Sequence, residues 1–318
     1  MLGLVSVFSA LAVALMAGQS GDPLPPERPG PGAAEALSWS VEARQSCGGG
    51  PVCLGARASL LNSSMAILME TTCPQRPAAC SPDETEAFEA ARSSFDVLKG
   101  EITAVGVPLS ADSLRESKLD ELGAQAVVHN WIRAAEADCS RTIRVCYLGR
   151  LWLLSEADQA ARTLPACRLD DSAEGPCWTD KRAMIRDIDR QVSPLKHRLL
   201  DEEAWPVSDV WGASASTAAW LLVQHSDAEP DFQQAALSKL LQAETLPRDE
   251  RRHAAYLMDR VAVAANEPQW FGTQGACRGS TWEALPVRDP EGLEGRRGRL
   301  ALGAMTDYAR TAASICTN

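Results

Sequence analysis

The chain has 318 residues, 45% hydrophobic and 23% charged, with a formal net charge of −11. That balance supports ordinary globular cores and excludes a disordered or fibrous chain. The acidic surplus argues against nucleic acid, and against an anionic membrane surface, as partners.

From the N-terminus, Met1 to Met16 is uncharged and apolar, and the small residues Ala17, Gly18 and Ser20 follow. The pattern predicts a secretory signal peptide over residues 1–20, although Lys and Arg are missing from its start. The run is too short to span a bilayer, and no later segment predicts a membrane span once the signal is removed. Residues 21–36 form a linker; positions 22–32 are rich in proline and glycine and carry little that would build a core.

Residues 37–203 contain a repeat. Trp39, Cys47, Cys53, Arg57 and Leu60-Leu61 recur as Trp131, Cys139, Cys146, Arg150 and Leu153-Leu154. Cys73 and Cys80 in the first copy answer Cys167 and Cys177 in the second. The units cover about 39–100 and 131–200, and eight of the ten cysteines belong to them. Such a framework belongs in an oxidising compartment, periplasmic or secreted.

Helical spacing dominates the repeats. Helices are predicted over Cys53 to Glu70, from Ser81-Pro82 onward, over Ser110 to Ala137 as one amphipathic run, and over Thr179 to Leu200 with a bend or break at Pro194. Strict alternation is lacking, so the fold class is all-α: disulfide-stapled hairpins followed by a C-terminal helical domain over 204–318. A helix of twenty residues is about 30 Å long, whereas a disulfide needs Cα atoms roughly 4.4–6.8 Å apart. Cys53 therefore cannot reach Cys73 unless the helix breaks near Asn62-Ser63-Ser64. Local pairs remain: Cys47–Cys53, Cys73–Cys80, Cys139–Cys146 and Cys167–Cys177, with Cys277 and Cys316 left for the C-terminal domain. The spacings are longer than those of zinc ribbons and no histidine stands beside them, so no metal is expected.

Trp131-Ile-Arg-Ala-Ala-Glu-Ala-Asp-Cys139, Cys146, Arg150 and Leu153-Leu154 resemble the end of the LprI-like lysozyme-inhibitor domain. Cys47, Cys53 and Leu61-Asn62 resemble its beginning. The resemblance implies a secreted, helical, cystine-linked module over about 40–160. The middle section, with Cys73 and Cys80, departs from the simplest form of that pattern.

Beyond Trp205 polar residues enter apolar helices. Trp220, Gln224 and Asp227 share a face at i, i+4 and i+7, with His225 on the neighbouring stripe. Gln233 opens the next helix. Tyr256, Asp259 and Arg260 share a further face, and Gln269 to Gln274 reads as a loop. This series resembles a bacterial family known as domain of unknown function 6624. It does so through Gln224-His225-x-Asp227, Gln233, Tyr256-Leu-x-Asp259-Arg260-Val, Gln269, Gly272-Thr273-Gln274, Pro286, Asp289 and Arg296-Arg297. The resemblance spans about 205–312 and implies no particular reaction.

Two readings of these residues stand side by side. In one, ion pairs and buried amides lock the helices together. In the other they line a pocket: His225 acts as acid or base, oriented by Asp227 or Asp259. Gln224, Gln233, Tyr256, Arg260, Gln269, Thr273 and Gln274 then bind an anionic or amide-rich ligand. Arg296, Arg297 and Arg299 read as a solvated helix face. No phosphate loop, dinucleotide fingerprint or nucleophile elbow is present, so no cofactor is expected. The sequence predicts an exported cell-envelope binding or inhibitory protein with a polar pocket in its C-terminal domain. The alternative is a hydrolase of envelope polymers or peptides. The expected partner is an envelope protein or a small polar ligand.

Overall fold

A computed structural model describes residues 23–45, 50–71, 82–105, 110–117, 119–164, 167, 175–202 and 205–316. The predicted signal segment, Cys47, Cys73 and Cys80 lie outside them. In chain order the elements are β1 (Glu27–Arg28), α1 (Ala33–Gln45), α2 (Pro51–Thr71), α3 (Pro82–Val105), α4 (Ala111–Glu116), α5 (Glu121–Glu136) and α6 (Ile143–Thr163). There follow α7 (Pro176–Glu202), α8 (Ser208–Trp211), α9 (Ala213–Gln224), α10 (Pro230–Leu241), β2 (Leu246–Pro247) and α11 (Arg248–Ala264). The chain closes with β3 (Gly275–Arg278), β4 (Thr281–Ala284), α12 (Leu293–Arg299) and α13 (Met305–Ala312). The fold is all-α with four short strands among the described residues. It divides into two compact units, residues 30–232 and residues 233–318 together with the segment up to Pro29.

The unit of residues 30–232 displays the sequence repeat in three dimensions. Hairpins α1–α2 and α5–α6 hold the matching first parts of its two copies, and the equivalent helices α2 and α6 pack on each other. Trp39 and Trp131 hold matching core positions, 4% and 1% exposed. Arg57 donates to the carbonyl of Ala43 at 3.0 Å and Arg150 to that of Ala137 at 2.8 Å, so each arginine ties its helix back onto the preceding one. The α2–α6 crossing is close because Gly149 lacks a side chain; a Cβ there would fall 1.9 Å from the Val52 carbonyl oxygen.

Cys139–Cys146 and Cys167–Cys177 are disulfides with Cα separations of 5.8 Å in both. Cys53 is also disulfide-bonded. Helix α2 runs unbroken through Asn62-Ser63-Ser64, as the distance argument requires for local pairing.

Two helix expectations change. The run from Ser110 to Ala137 is two helices, because Ser117 stops α4 by donating its hydroxyl to the Leu114 carbonyl at 2.6 Å. Asp120 then starts α5 by accepting from the Gly123 amide at 2.8 Å. Pro194, in contrast, breaks nothing: α7 is continuous from Pro176 to Glu202.

Helix α9 is placed by its start. Gly212 sits at φ 91°, a backbone region that favours glycine, and a Cβ there would meet Ser63 Oγ at 2.5 Å. Ser63 Oγ accepts from the Ser214 amide at 2.9 Å, so α2 anchors the first turn of α9.

In the other unit, residues read as linker take part in the fold. Leu24 is buried, 6% exposed, and Glu27-Arg28 pair in parallel with Leu246-Pro247. Glu27 also accepts from Arg248 at 2.9 Å and lies 3.4 Å from Arg251. The antiparallel β3–β4 hairpin closes over Gly275, where a Cβ would fall 2.2 Å from the Trp282 ring. The Cys277–Cys316 disulfide ties this hairpin to the C-terminal segment.

Candidate functional site

His225 is the first residue past α9. Its Nδ1 lies 2.6 Å from Oδ2 of Asp158, an α6 residue whose side chain is 5% exposed. With Asp158 ionised, Nδ1 carries the proton and donates. Nε2 forms no hydrogen bond among the described residues, and the ring is one-quarter exposed, at 25%. The other Asp158 oxygen is 2.6 Å from the Arg162 guanidinium. Arg162 also donates to the Asp158 carbonyl at 3.0 Å, to Asp189 at 3.3 Å and to the His225 carbonyl at 3.4 Å. Burial pushes the Asp189 carboxyl above its ordinary range, offset in part by Arg162 and reinforced by the negative charge of Asp158.

The network continues beside it. Lys196, 5% exposed, donates to Ser226 Oγ at 2.6 Å and pairs with Glu229. Glu229 also accepts from Ser193 and lies 3.1 Å from His197 Nε2. Burial opposes ionisation of Glu229, yet the hydrogen bonds from Lys196, Ser193 and His197 hold its pKa below the usual value. His197 stacks on Phe232 with ring centroids 4.0 Å apart.

In the unit of residues 233–318 a different arrangement surrounds Asp259, which is fully buried. Its oxygens accept from the amides of Trp270 at 2.7 Å, Phe271 at 3.0 Å and Thr273 at 2.9 Å, and from the Thr273 hydroxyl at 2.9 Å. Burial raises the Asp259 pKa against the opposing pull of these donors. Gln269, also 0% exposed, donates to the Gln274 and Leu285 carbonyls and accepts from the Gln274 amide, each at 2.8 Å. One carboxylate and one amide thus fix the loop 269–274 through its backbone.

Two of the three arginines read as a solvated face of α12, Arg296 and Arg297, belong instead to this anchoring, while Arg299 is exposed. Arg296 and Arg297 are 4% and 0% exposed. Arg297 donates to the Phe271, Leu302 and Gly303 carbonyls, and Arg296 to those of Trp270, Arg288 and Asp289. The guanidinium fork matches converging carbonyls, so burial leaves few of its donors unsatisfied. Arg297 also lies 4.9 Å from the Tyr308 ring. Burial, with Tyr256 beside it, holds the Tyr308 phenol above its ordinary pKa.

The sequence-derived candidates divide between the two units, with Gln224, His225 and Asp227 in residues 30–232 and the others in the second. Gln224 ends α9, buried at 7% exposure, and Asp227 is exposed in the turn beyond it. The helix stops before Asp227, so the i, i+4, i+7 face does not extend to it. The carboxylate on His225 is Asp158, in place of the expected Asp227 or Asp259. Gln233 is buried in α10, and Tyr256 and Arg260 are half-buried on α11. Asp259, Gln269, Thr273 and Gln274 converge on one loop. A signal for Asp158 existed: with Arg162 it forms an i, i+4 acid–base pair within an apolar stripe of α6.

These features define a cystine-stapled, all-α protein holding a part-exposed histidine on a buried aspartate and an aspartate-anchored loop. The chain matches a family of unknown function, DUF6624, over residues 148–315, more than half of its length, and belongs to that family. The match begins inside α6 and takes in Asp158 and Arg162 as well as the C-terminal motifs. No curated protein and no solved structure matches the chain, and the LprI-like resemblance finds no support in these comparisons.

Proposed function

We propose that this is an exported cell-envelope protein in which His225 and Asp158 act as a proton-transfer pair in the hydrolysis of envelope polymers or peptides. The observation that carries the reading is the 2.6 Å contact of His225 Nδ1 with a buried carboxylate while Nε2 is left unbonded among the described residues. Asp158 fixes the tautomer that bares the Nε2 lone pair. It also stabilises the imidazolium formed once Nε2 has taken a proton from water or a hydroxyl. Returning that proton to the leaving group completes the cycle. The disulfides and the apolar N-terminal run support export, and no helix among the described residues is long and apolar enough to cross a membrane.

The test is turnover of envelope glycans, peptides and esters by the full mature chain and by His225→Gln. A positioned general base contributes about 10²–10⁴-fold, so the variant is expected to lose at least 100-fold while melting within a few degrees of wild type. Turnover unchanged in His225→Gln overturns the proposal.

A second reading, a binding or inhibitory protein of the envelope, draws on the anchoring of loop 269–274. A loop fixed by Asp259, Gln269, Arg296 and Arg297 is preorganised for contact. Under that reading His225→Gln keeps full partner binding and the wild type turns over none of the polymers.

A further inference from the structure

We infer that Arg162 is the positioning residue of the His225–Asp158 pair, and that Asp189 on α7 holds Arg162 in that task. The inference rests on the acid–base reading of His225. One guanidinium touches both halves of the pair: the Asp158 carboxylate at 2.6 Å and the His225 carbonyl at 3.4 Å. It reaches back to the Asp158 carbonyl at 3.0 Å, so the α6 turn carrying Asp158 is fixed by its own side chain's partner. Asp189, at 3.3 Å, sets the rotation of the guanidinium from the neighbouring helix.

The consequence for Asp158 is directional. Arg162 occupies Oδ1, which leaves Oδ2 turned toward His225 Nδ1. Gln159 adds a long contact to the same Oδ2 at 3.3 Å and does not compete for Oδ1. A guanidinium presents rigid, coplanar donors to several acceptors at once, and an ammonium does not. Arg162→Lys thus keeps the charge and loses the fork, which separates positioning from simple charge balance. Asp189→Asn removes the charged outer arm from a side chain that is 40% exposed and touches neither Asp158 nor His225 in any contact described above.

The experiment is ¹⁵N NMR of the imidazoles in the full chain with ¹⁵N-labelled histidine, of which there are four. His225→Gln identifies the His225 signals. In the wild type, neutral His225 is expected as a single tautomer protonated at Nδ1. In Arg162→Lys the Nε2-protonated form is expected to rise to a substantial fraction, and in Asp189→Asn to a smaller but measurable one. If both variants keep the single Nδ1-protonated tautomer, Arg162 merely locks helices and the inference fails, with the acid–base reading intact. A wild-type His225 protonated at Nε2 removes the acid–base reading itself. Should Arg162→Lys fail to fold, Asp189→Asn alone decides between these outcomes.

Discussion

Glu156 and His253 are side chains whose burial leaves a signature in pH. Glu156 accepts from the Ala111 amide at 2.7 Å, and burial pushes its pKa up to about 7, with Asp112 contributing. A raised folded pKa means that its stabilising contribution is fully present below the unfolded value and is lost as pH rises through the folded one. Stability should therefore decline between about pH 4.5 and 7. Each pH unit between the two pKa values is worth about 1.36 kcal/mol, so the decline is on the order of 3 kcal/mol. Urea titrations of Glu156→Gln, which keeps an acceptor for Ala111, are expected to lose that slope. His253 behaves in the opposite sense. Burial, with Arg252 adding, lowers its pKa to about 4, so its contribution is present above pH 6.5 and lost as pH falls toward 4. His253→Gln should flatten the acid side of the stability curve, and an unchanged profile would contradict a half-buried imidazole held neutral by desolvation. His225 and Asp259 stand out in the sequence because polar groups on apolar helices need partners. Asp158 did not stand out, since Glu156-Ala-Asp158 reads as ordinary helix acidity until packing buries one acid. Arg296 and Arg297 read as solvated because the carbonyls that satisfy them come from Trp270, Phe271 and Leu302, set by chain reversals no local pattern announces.

Among the elements, the α2–α6 crossing carries the sharpest packing constraint. Gly149→Ala drives a methyl into the Val52 carbonyl, a backbone atom that cannot swing aside. The expected loss is about 3 kcal/mol or more, read as a lower urea midpoint. Gly55→Ala meets the Gly149 carbonyl at 3.1 Å and should cost clearly less. Equal midpoints for the two variants would contradict the packing described. The duplicated hairpins were legible because their signal is covalent: cysteine, tryptophan and arginine spacing survives where helical periodicity blurs. The α4–α5 break was not legible, because Ser117 and Asp120 are also common on the polar face of an amphipathic helix. Pro194 misled in the other direction. A proline weakens one turn, and the neighbouring burial of Val192 and Leu195 holds α7 together across it.

Over the whole molecule, each disulfide with both cysteines described closes a loop within one compact unit. A non-reduced digest should return Cys139–Cys146, Cys167–Cys177 and Cys277–Cys316. Reduction should lower stability by roughly 2–4 kcal/mol per bridge, most for the 39-residue separation of Cys277 and Cys316. The all-α, cystine-stapled plan followed from the sequence. The participation of Leu24, Glu27 and Arg28 in the C-terminal unit did not, because a proline-rich stretch looks alike whether it pairs with a distant segment or not. Whether His225 is a base held by Asp158 is the central question, and the rate at which each histidine is carbethoxylated by diethyl pyrocarbonate, followed by mass spectrometry, tests this directly. Exposure alone ranks His129 and His197, both 36% exposed, ahead of His225 at 25%. Hydrogen bonding reverses that order, since His129 engages Gln125 and Asp187 through its two nitrogens and His197 Nε2 engages Glu229. His225 is predicted to react fastest and to slow several-fold in Asp158→Asn. Reaction in order of exposure, or a His225 rate indifferent to Asp158→Asn, would contradict a base held by Asp158.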